Sequence, residues 1–160
     1  MNAPKTRSAQ PMILRLLVIS VHLIALCCSV CAQESAIRVR HGYILPANKD
    51  LIIIGDPSWE RWQPTENDID LVETLLQQEL KAKRKELELK KPSRYQRQYI
   101  GYINESGERI VWVNELCGSH PIDQLDKEPV IVFEGGPCYW NARVNIERKM
   151  VFGLGANSKF

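Results

Sequence analysis

The sequence has few of the residues on which common enzyme chemistries depend. It contains only three histidines among 160 residues, and histidine is the usual proton carrier near neutral pH. It has no Gly-x-Ser-x-Gly motif for a serine nucleophile. It also has no glycine-rich turn between a strand and a helix that would hold a phosphate. The sequence therefore predicts no catalytic residue and no cofactor.

Acidic residues are absent from the first 32 positions. This region carries three cations, an apolar run over residues 16–30 and, at its end, the small-residue sequence Val30-Cys31-Ala32. A basic start, an apolar middle and a small-residue end are typical of a secretory signal peptide. We therefore expect residues 1–32 to be removed after export. Residues 33–160 would then act as a single domain in the periplasm or outside the cell.

Two other interpretations of this leader are weaker. A membrane-spanning helix needs about 20 apolar residues, whereas the run here is shorter and is interrupted by Ser20 and His22. A lipoprotein needs a small residue directly before its acylated cysteine, but leucine, cysteine and valine precede the three cysteines of the leader. We therefore expect no stable membrane anchor.

Neither sign of charge dominates the remaining chain, in which 18 basic residues face 19 acidic ones once the leader is set aside. Such a balance gives no field that would attract nucleic acid or anionic membranes. The stretch 81–91 is a local exception, with six cations and two acids. It is either an anion contact or the solvated C-terminal end of a helix, where cations are favourable. The second interpretation is favoured because no other basic patch accompanies it.

Cysteine is scarce beyond the leader, where only Cys117 and Cys138 occur. An even pair in an exported protein is typical of a disulfide. The alternative is a metal site, because Cys117 and His120 have a ligand-like spacing. A closed zinc site needs about four ligands, and His41 is the only other histidine outside the leader. The sequence therefore predicts a disulfide and no metal site.

One segment carries a strong helix signal. Thr65 and Asp68 have the spacing of a capping box, and apolar residues follow at intervals of three and four. The pattern predicts a helix from residue 66 to about residue 85 that buries one stripe. The stripe consists of Ile69, Val72, Leu75, Leu76 and Leu80.

Strand patterns fill most of the other segments. The turn Asn104-Glu-Ser-Gly107 predicts a hairpin, and alternation in the segment 138–146 indicates a sheet with one covered face. The predicted strands are 95–103, 108–114, 130–133, 138–146 and 150–154, with 37–45 and 51–54 as weaker candidates. The predicted fold class is α+β, with one long amphipathic helix packed on a four- to five-stranded antiparallel sheet. This order of elements resembles the cystatin-like topology, with an NTF2-like topology as second choice.

Aromatic residues make up only 8% of the chain, yet they gather with arginine and asparagine on the predicted strands. Such mixtures are typical of recognition surfaces and equally of ordinary antiparallel strands. We predict a ligand-binding surface on the sheet face away from the helix. Its residues are Arg97, Tyr99, Trp112, Asn141, Arg143 and Asn145.

Two pairs of acidic residues are the remaining catalytic candidates. Glu105 and Glu108 share a turn and are expected to be solvated. Glu115 and Glu134 lie on segments that could meet as neighbouring strands. A paired-carboxylate mechanism also needs a cleft and two separated pKa values, so this second pair is a weak candidate.

Four segments of the chain are similar to a set of small exported bacterial proteins of uncharacterised function. The segments are 62–69, 95–101, 110–117 and 135–141, and the resemblance spans about residues 62–157. It implies a signal peptide, a helix followed by strands and a cysteine in each of the last two segments, and it brings no catalytic residue. The Gln-x-Val-x-Gly turn of cystatin-type inhibitors is not matched by Gln98-Tyr-Ile-Gly101.

These observations favour a non-enzymatic secreted or periplasmic domain that binds an unknown protein or small ligand of the cell envelope. One alternative is a small hydrolase or isomerase with a pocket between the helix and the sheet. Another is a structural or assembly factor of the envelope, which would offer an unpaired edge strand to its partner.

Overall fold

The computed structural model describes residues 35–47, 59–91, 95–118 and 125–158. The predicted leader and the predicted strand at 51–54 lie outside these ranges. The described residues form one α-helix and a mixed β-sheet, so the α+β class is confirmed. The elements are β1 (Ile37–Val39), β2 (Gly42–Ile44), β3 (Arg61–Trp62), α1 (Glu66–Lys83), β4 (Tyr95–Ile103), β5 (Arg109–Cys117), a 3₁₀ turn (Gly136–Cys138), β6 (Tyr139–Asn145) and β7 (Met150–Ala156).

The helix α1 begins with the predicted capping box. The backbone N–H of Asp68 donates to Thr65 Oγ1 at 3.2 Å, and Asp68 Oδ2 accepts from the Thr65 N–H at 2.9 Å. Each contact satisfies a donor that the first turn of a helix leaves open. Three residues of the predicted stripe, Ile69, Val72 and Leu76, are buried against the sheet. The helix prediction is therefore confirmed, with an end two residues earlier than expected.

The sheet has the strand order β1-β2-β4-β5-β6-β7, and β3 also pairs with β4. The hairpin of β4 and β5 is confirmed, in a register that runs from Tyr95 opposite Cys117 to Ile103 opposite Arg109. β6 and β7 continue the antiparallel order. No helix among the described residues is long and apolar enough to cross a membrane.

The prediction of a purely antiparallel sheet of four to five strands is wrong. The segment expected to form one strand over 37–45 turns at Arg40 and His41 and forms two strands, and the second of them, β2, runs parallel to β4. Gly42 permits this pairing, because a Cβ atom at this position would overlap the backbone carbonyl of Arg97. The three short strands β1, β2 and β3 account for the larger strand number.

The segment 130–133 is not a strand, in contrast to the prediction. The backbone of this segment is bound by side chains of β4 and β5 and not by the backbone of a neighbouring strand. Gln98 Nε2 donates to the carbonyls of Leu125 and Glu128 at 3.0 and 2.7 Å, and Gln98 Oε1 accepts from the Val130 N–H at 2.8 Å. Asn114 Nδ2 donates to the Val130 carbonyl at 2.7 Å. This segment is thus fastened onto the sheet face opposite the helix.

Both faces of the central sheet are covered, so the expectation of one covered face is also wrong. On the helix face, Tyr99, Val113 and Trp140 pack with the stripe of α1. On the outer face, Ile100 and Trp112 belong to a second buried cluster. Because covering segments lie on both sides, every residue from 110 to 117 is buried and the alternation of exposure disappears in β5.

The last strand, β7, contains a bulge. Asn141 pairs with Gly155, whereas Arg143 pairs with Phe152, so β7 holds one residue more than β6 between these two pairs. Gly153 lies within the bulge at a φ of 59°, a conformation that strains other residues.

Cys117 and Cys138 form a disulfide, as the sequence predicts. The bond joins the end of β5 to the 3₁₀ turn that precedes β6, and it closes a sequence separation of 21 residues.

Candidate functional site

The six residues of the predicted binding surface lie on both faces of the sheet. The register of β4 and β5 places Arg97 and Tyr99 on the helix face, where they pair with Glu115 and Val113. The other four lie on the outer face, namely Trp112, Asn141, Arg143 and Asn145. The prediction of one surface away from the helix is therefore wrong for Arg97 and Tyr99.

Beneath the helix, Glu73, Arg97, Tyr99 and Glu115 form what we term the ionic cluster. Arg97 is only 4% exposed and Glu115 is fully buried. Arg97 Nη1 donates to Glu73 Oε2 at 2.7 Å, and Arg97 Nε donates to Glu115 Oε1. The Tyr99 hydroxyl donates to Glu73 Oε1 at 2.8 Å. The cluster thus links α1 to the two central strands by charge-assisted hydrogen bonds.

The charged groups of the ionic cluster pair with one another. Both oxygens of Glu73 accept hydrogen bonds from Arg97 and Tyr99, and Arg97 lies between two carboxylates. Burial, together with the nearby Glu73, raises the pKa of Tyr99 far above its usual value, so Tyr99 remains a hydrogen-bond donor. Glu115 is buried against Arg97 whereas Glu134 is exposed. The carboxylate pair that a hydrolytic mechanism would need is not assembled from these two residues.

His41 lies at the rim of the ionic cluster. Its Nε2 is 3.9 Å from Glu73 Oε2, and its side chain is partly exposed. Burial lowers the pKa of His41, although the negative charge of Glu73 acts in the opposite direction. A lowered pKa leaves His41 neutral at pH 7.

A shallow pocket, open to solvent, lies beside the cluster at the end of α1, and its volume of about 10 Å³ has room for about one water molecule. Its cationic lining is Arg84, Lys90 and Arg97, and the other lining residues are Leu80, Leu89, Tyr95 and Trp140. No carboxylate lines it, and it is smaller than the roughly 300–1,000 Å³ of typical ligand pockets. A hydrolase or isomerase that used this pocket would therefore find no acid–base pair in it.

The basic stretch 81–91 divides into residues with different surroundings. Lys83 pairs with Glu79 at 3.2 Å, while Arg84 and Lys90 line the pocket. The other three cations, Lys81, Lys85 and Lys91, are exposed. Among the residues that the structure describes, no group of three or more histidine, cysteine or acidic side chains could hold a metal ion.

On the outer face, exposure increases from the centre of the sheet toward its β7 edge. In one row across the sheet, Trp112 pairs with Arg143 and Arg143 pairs with Phe152. Trp112 is 2% exposed, Phe152 is 37% exposed, and Met150 in the neighbouring row is 46% exposed. We term Asn141, Arg143, Met150 and Phe152 the open strip.

The polar residues of this face differ in their surroundings. Asn145 is buried, donates through Nδ2 to Glu108 at 2.9 Å and accepts from the Arg148 N–H at 2.8 Å, so it holds the turn between β6 and β7. Burial raises the pKa of Tyr102. A hydrogen bond between Arg143 and the Tyr102 hydroxyl acts in the opposite direction and has the smaller effect. Asn141 and Arg143 are half-buried.

Sequence reasoning did not single out Glu73, Met150 or Phe152. Glu73 carried a signal, because it lies four residues after Ile69 and three before Leu76, in line with the buried stripe. A charged residue at such a position needs a buried partner. Met150 and Phe152 carried no such signal in the sequence, because the exposure of an edge strand depends on the order of the strands in the sheet.

Comparisons of the chain with protein-family models, with curated proteins and with solved structures found no match.

Proposed function

We propose that this protein is an exported, non-enzymatic domain that binds a partner protein through the open strip. The observation that carries the proposal is the exposure of Met150 and Phe152 beside Arg143 and Asn141 on the last two strands. Protein contact surfaces combine large apolar side chains with arginine. Full burial of a side chain such as Phe or Met contributes up to about 1.5–3 kcal/mol.

Binding is favoured over catalysis by the state of the ionisable groups. The charges of the ionic cluster pair with one another beneath the helix, and the pocket beside it is lined by cations without a carboxylate. A hydrolase or isomerase in that pocket would need an acid and a base that face the same substrate. An assembly factor that binds through the outer edge of β7 would have to accommodate the bulge at Gly153.

Export is part of the same proposal. Residues 1–32 would act as the signal peptide, with cleavage after Ala32, and the protein would function in the periplasm or outside the cell. The disulfide between Cys117 and Cys138 supports an oxidising compartment. A cystatin-like arrangement is the related proposal for the fold, supported by the long helix against the antiparallel strands β4 to β7, although β2 departs from it.

The proposal is tested with purified protein as bait in an envelope fraction of the source cells, with quantitative measurement of each recovered protein. Phe152→Ser and Asn141→Ala alter the open strip. Ile37→Ser is the matched control, because Ile37 is similarly exposed but lies on β1 at the opposite edge. We expect one specific partner that the wild type and the Ile37 variant recover equally and that the Phe152 variant loses.

Purified partner then gives dissociation constants for the same set of variants. We expect weakening of about tenfold or more for Phe152→Ser, because hot-spot side chains contribute more than about 1.4 kcal/mol each. Equal affinity of the Phe152 and Ile37 variants would remove the open strip as the contact surface.

A further inference from the structure

An unusual set of hydrogen-bond donors lies on the short segment that contains β3. Five side-chain nitrogens in this segment are shielded from solvent and have no hydrogen-bond partner among the residues that the structure describes. They are Trp59 Nε1, Arg61 Nε, Arg61 Nη1, Arg61 Nη2 and Gln63 Nε2. Buried polar groups are almost always paired, and exceptions call for an explanation such as an ion or ligand.

The backbone places these three side chains on the outer face. Arg61 pairs with Tyr102 across β3 and β4, and the ring of Trp59 stacks on Tyr102 with 4.7 Å between ring centroids. Side chains two residues apart in an extended segment point to the same side, which places Gln63 with them. Gln63 Oε1 accepts from the Ala47 N–H at 2.9 Å, a contact that orients the remaining amide N–H groups.

All five nitrogens are donors, and one side chain among them is a cation. Burial lowers the pKa of Arg61 to about 10, so the guanidinium still carries its charge at neutral pH. No ion pair of Arg61 occurs within the described ranges, whereas Arg97 on the helix face lies between two carboxylates. A buried cation without a counter-charge is strongly unfavourable, and the described part of the chain supplies no acceptor for Arg61.

We propose that Trp59, Arg61 and Gln63 form a binding site for an oxyanion, either a phosphate group or a carboxylate. The planar guanidinium matches both groups with two parallel hydrogen bonds. The indole and amide N–H groups supply further donors. The site lies on the strand beside β4, while the open strip lies on β6 and β7, so the inference does not depend on the proposed partner surface.

Thermal unfolding of the purified protein tests the site. Wild type, Arg61→Met and the control Arg40→Gln are compared in sodium chloride, sodium phosphate and sodium acetate at equal ionic strength. Arg40 is the control because it is exposed in the turn between β1 and β2. We expect phosphate, acetate or both to raise the Tm of the wild type and the Arg40 variant. Arg61→Met should gain no more than the general salt effect.

The measurements in sodium chloride separately test whether Arg61 lacks an acceptor within the chain. Replacement of an unpaired buried charge by an apolar side chain is neutral or stabilising, so Arg61→Met should be at least as stable as the wild type in chloride. A clearly lower Tm would show that Arg61 is paired within the chain and would overturn the proposal.

Calorimetric titration with phosphate and with acetate identifies the oxyanion class. Trp59→Phe removes the indole N–H and preserves the ring, and it should weaken binding several-fold. Arg61→Met should weaken it about tenfold or more, as expected for the loss of charge-assisted hydrogen bonds. A response to phosphate alone or to acetate alone supports the site and names its class. Equal responses of wild type and Arg61→Met to both anions would overturn it.

Discussion

The two faces of the sheet solve the problem of buried polar groups in different ways. On the helix face, Arg97 has carboxylate partners on α1 and on β5, although Glu115 Oε2 has no hydrogen-bond partner among the described residues. On the outer face, the donors of Arg61 have no partner within the described ranges, and apolar side chains become exposed toward β7. Neighbouring residues of β4 belong to opposite faces. The helix face holds the ion pairs that stabilise the fold, and the outer face carries both of the proposed binding sites.

The largest expected effect tests the ion pairs of Arg97 in the ionic cluster. Arg97→Met leaves the buried Glu115 and the partly buried Glu73 without their counter-charge, and loss of one partner of a buried ion pair costs about 3–5 kcal/mol. Urea unfolding measures this loss. Arg148→Met is the control, because the Arg148 side chain is largely exposed and ion pairs of exposed side chains contribute little to stability. Similar losses in both variants would contradict a structural role for the cluster.

The disulfide should have the next largest effect. The bond between Cys117 and Cys138 closes a loop with a sequence separation of 21, which corresponds to about 3 kcal/mol of stabilisation. The double variant Cys117→Ser/Cys138→Ser should lose this amount in urea unfolding. A reducing agent should lower the wild type to the same stability and leave the double variant unchanged. A wild type that is indifferent to reductant would show that the two thiols are not joined.

A smaller loss is expected from the polar fastening on the outer face. Gln98→Leu leaves the carbonyl of the buried Leu125 without its donor, and one unsatisfied buried group costs about 1–3 kcal/mol. The carbonyl of Glu128 loses the same donor, but Glu128 is exposed and can bind water instead. Cleavage by a protease near 125–130 should become faster. The control Gln96→Leu lies two residues away on the same strand but is exposed, and it should change the free energy of unfolding by less than about 0.5 kcal/mol. Equal behaviour of the two variants would refute the fastening.

The smallest expected effect is a pH dependence at the rim of the ionic cluster. The pKa of His41 is lowered from its ordinary value of 6.5 by burial, so the unfolded chain binds more protons as the pH falls through 6.5. The free energy of unfolding should therefore decrease between pH 8 and pH 5.5. His41→Gln should remove this part of the slope. An unchanged slope in the variant would assign the pH dependence to other groups.

Local signals in the sequence predict the helix and the antiparallel hairpin. Thr65 and Asp68 are three residues apart, and Gly107 supplies the positive φ of the turn between β4 and β5. The parallel pairing of β2 with β4 has no local signal. β2 is three residues long, and its partner follows only after the helix, more than 50 residues along the chain. The segment 130–133 has the apolar composition of a strand, but it does not form one, because side chains of β4 and β5 bind the backbone at its start.

The candidate surfaces were predictable only within single strands. The alternation in β6 correctly separates Trp140 from Asn141 and Arg143. The relation between strands depends on register, and register is not visible in an isolated strand pattern. For this reason Arg97 and Arg143 appeared to share a surface, although they lie on opposite faces. The unpaired donors of Arg61 could not be foreseen, because they depend on which groups the fold brings near.

The bulge at Gly153 has a consequence for the protein at high concentration. β7 is the terminal strand of the described sheet, and it contains no charged residue that would repel a second chain. Its extra residue breaks the regular spacing of the outward-facing backbone groups midway along the strand. A neighbouring molecule could therefore align with only a short stretch on either side of the glycine, which opposes edge-to-edge stacking of sheets into fibrils.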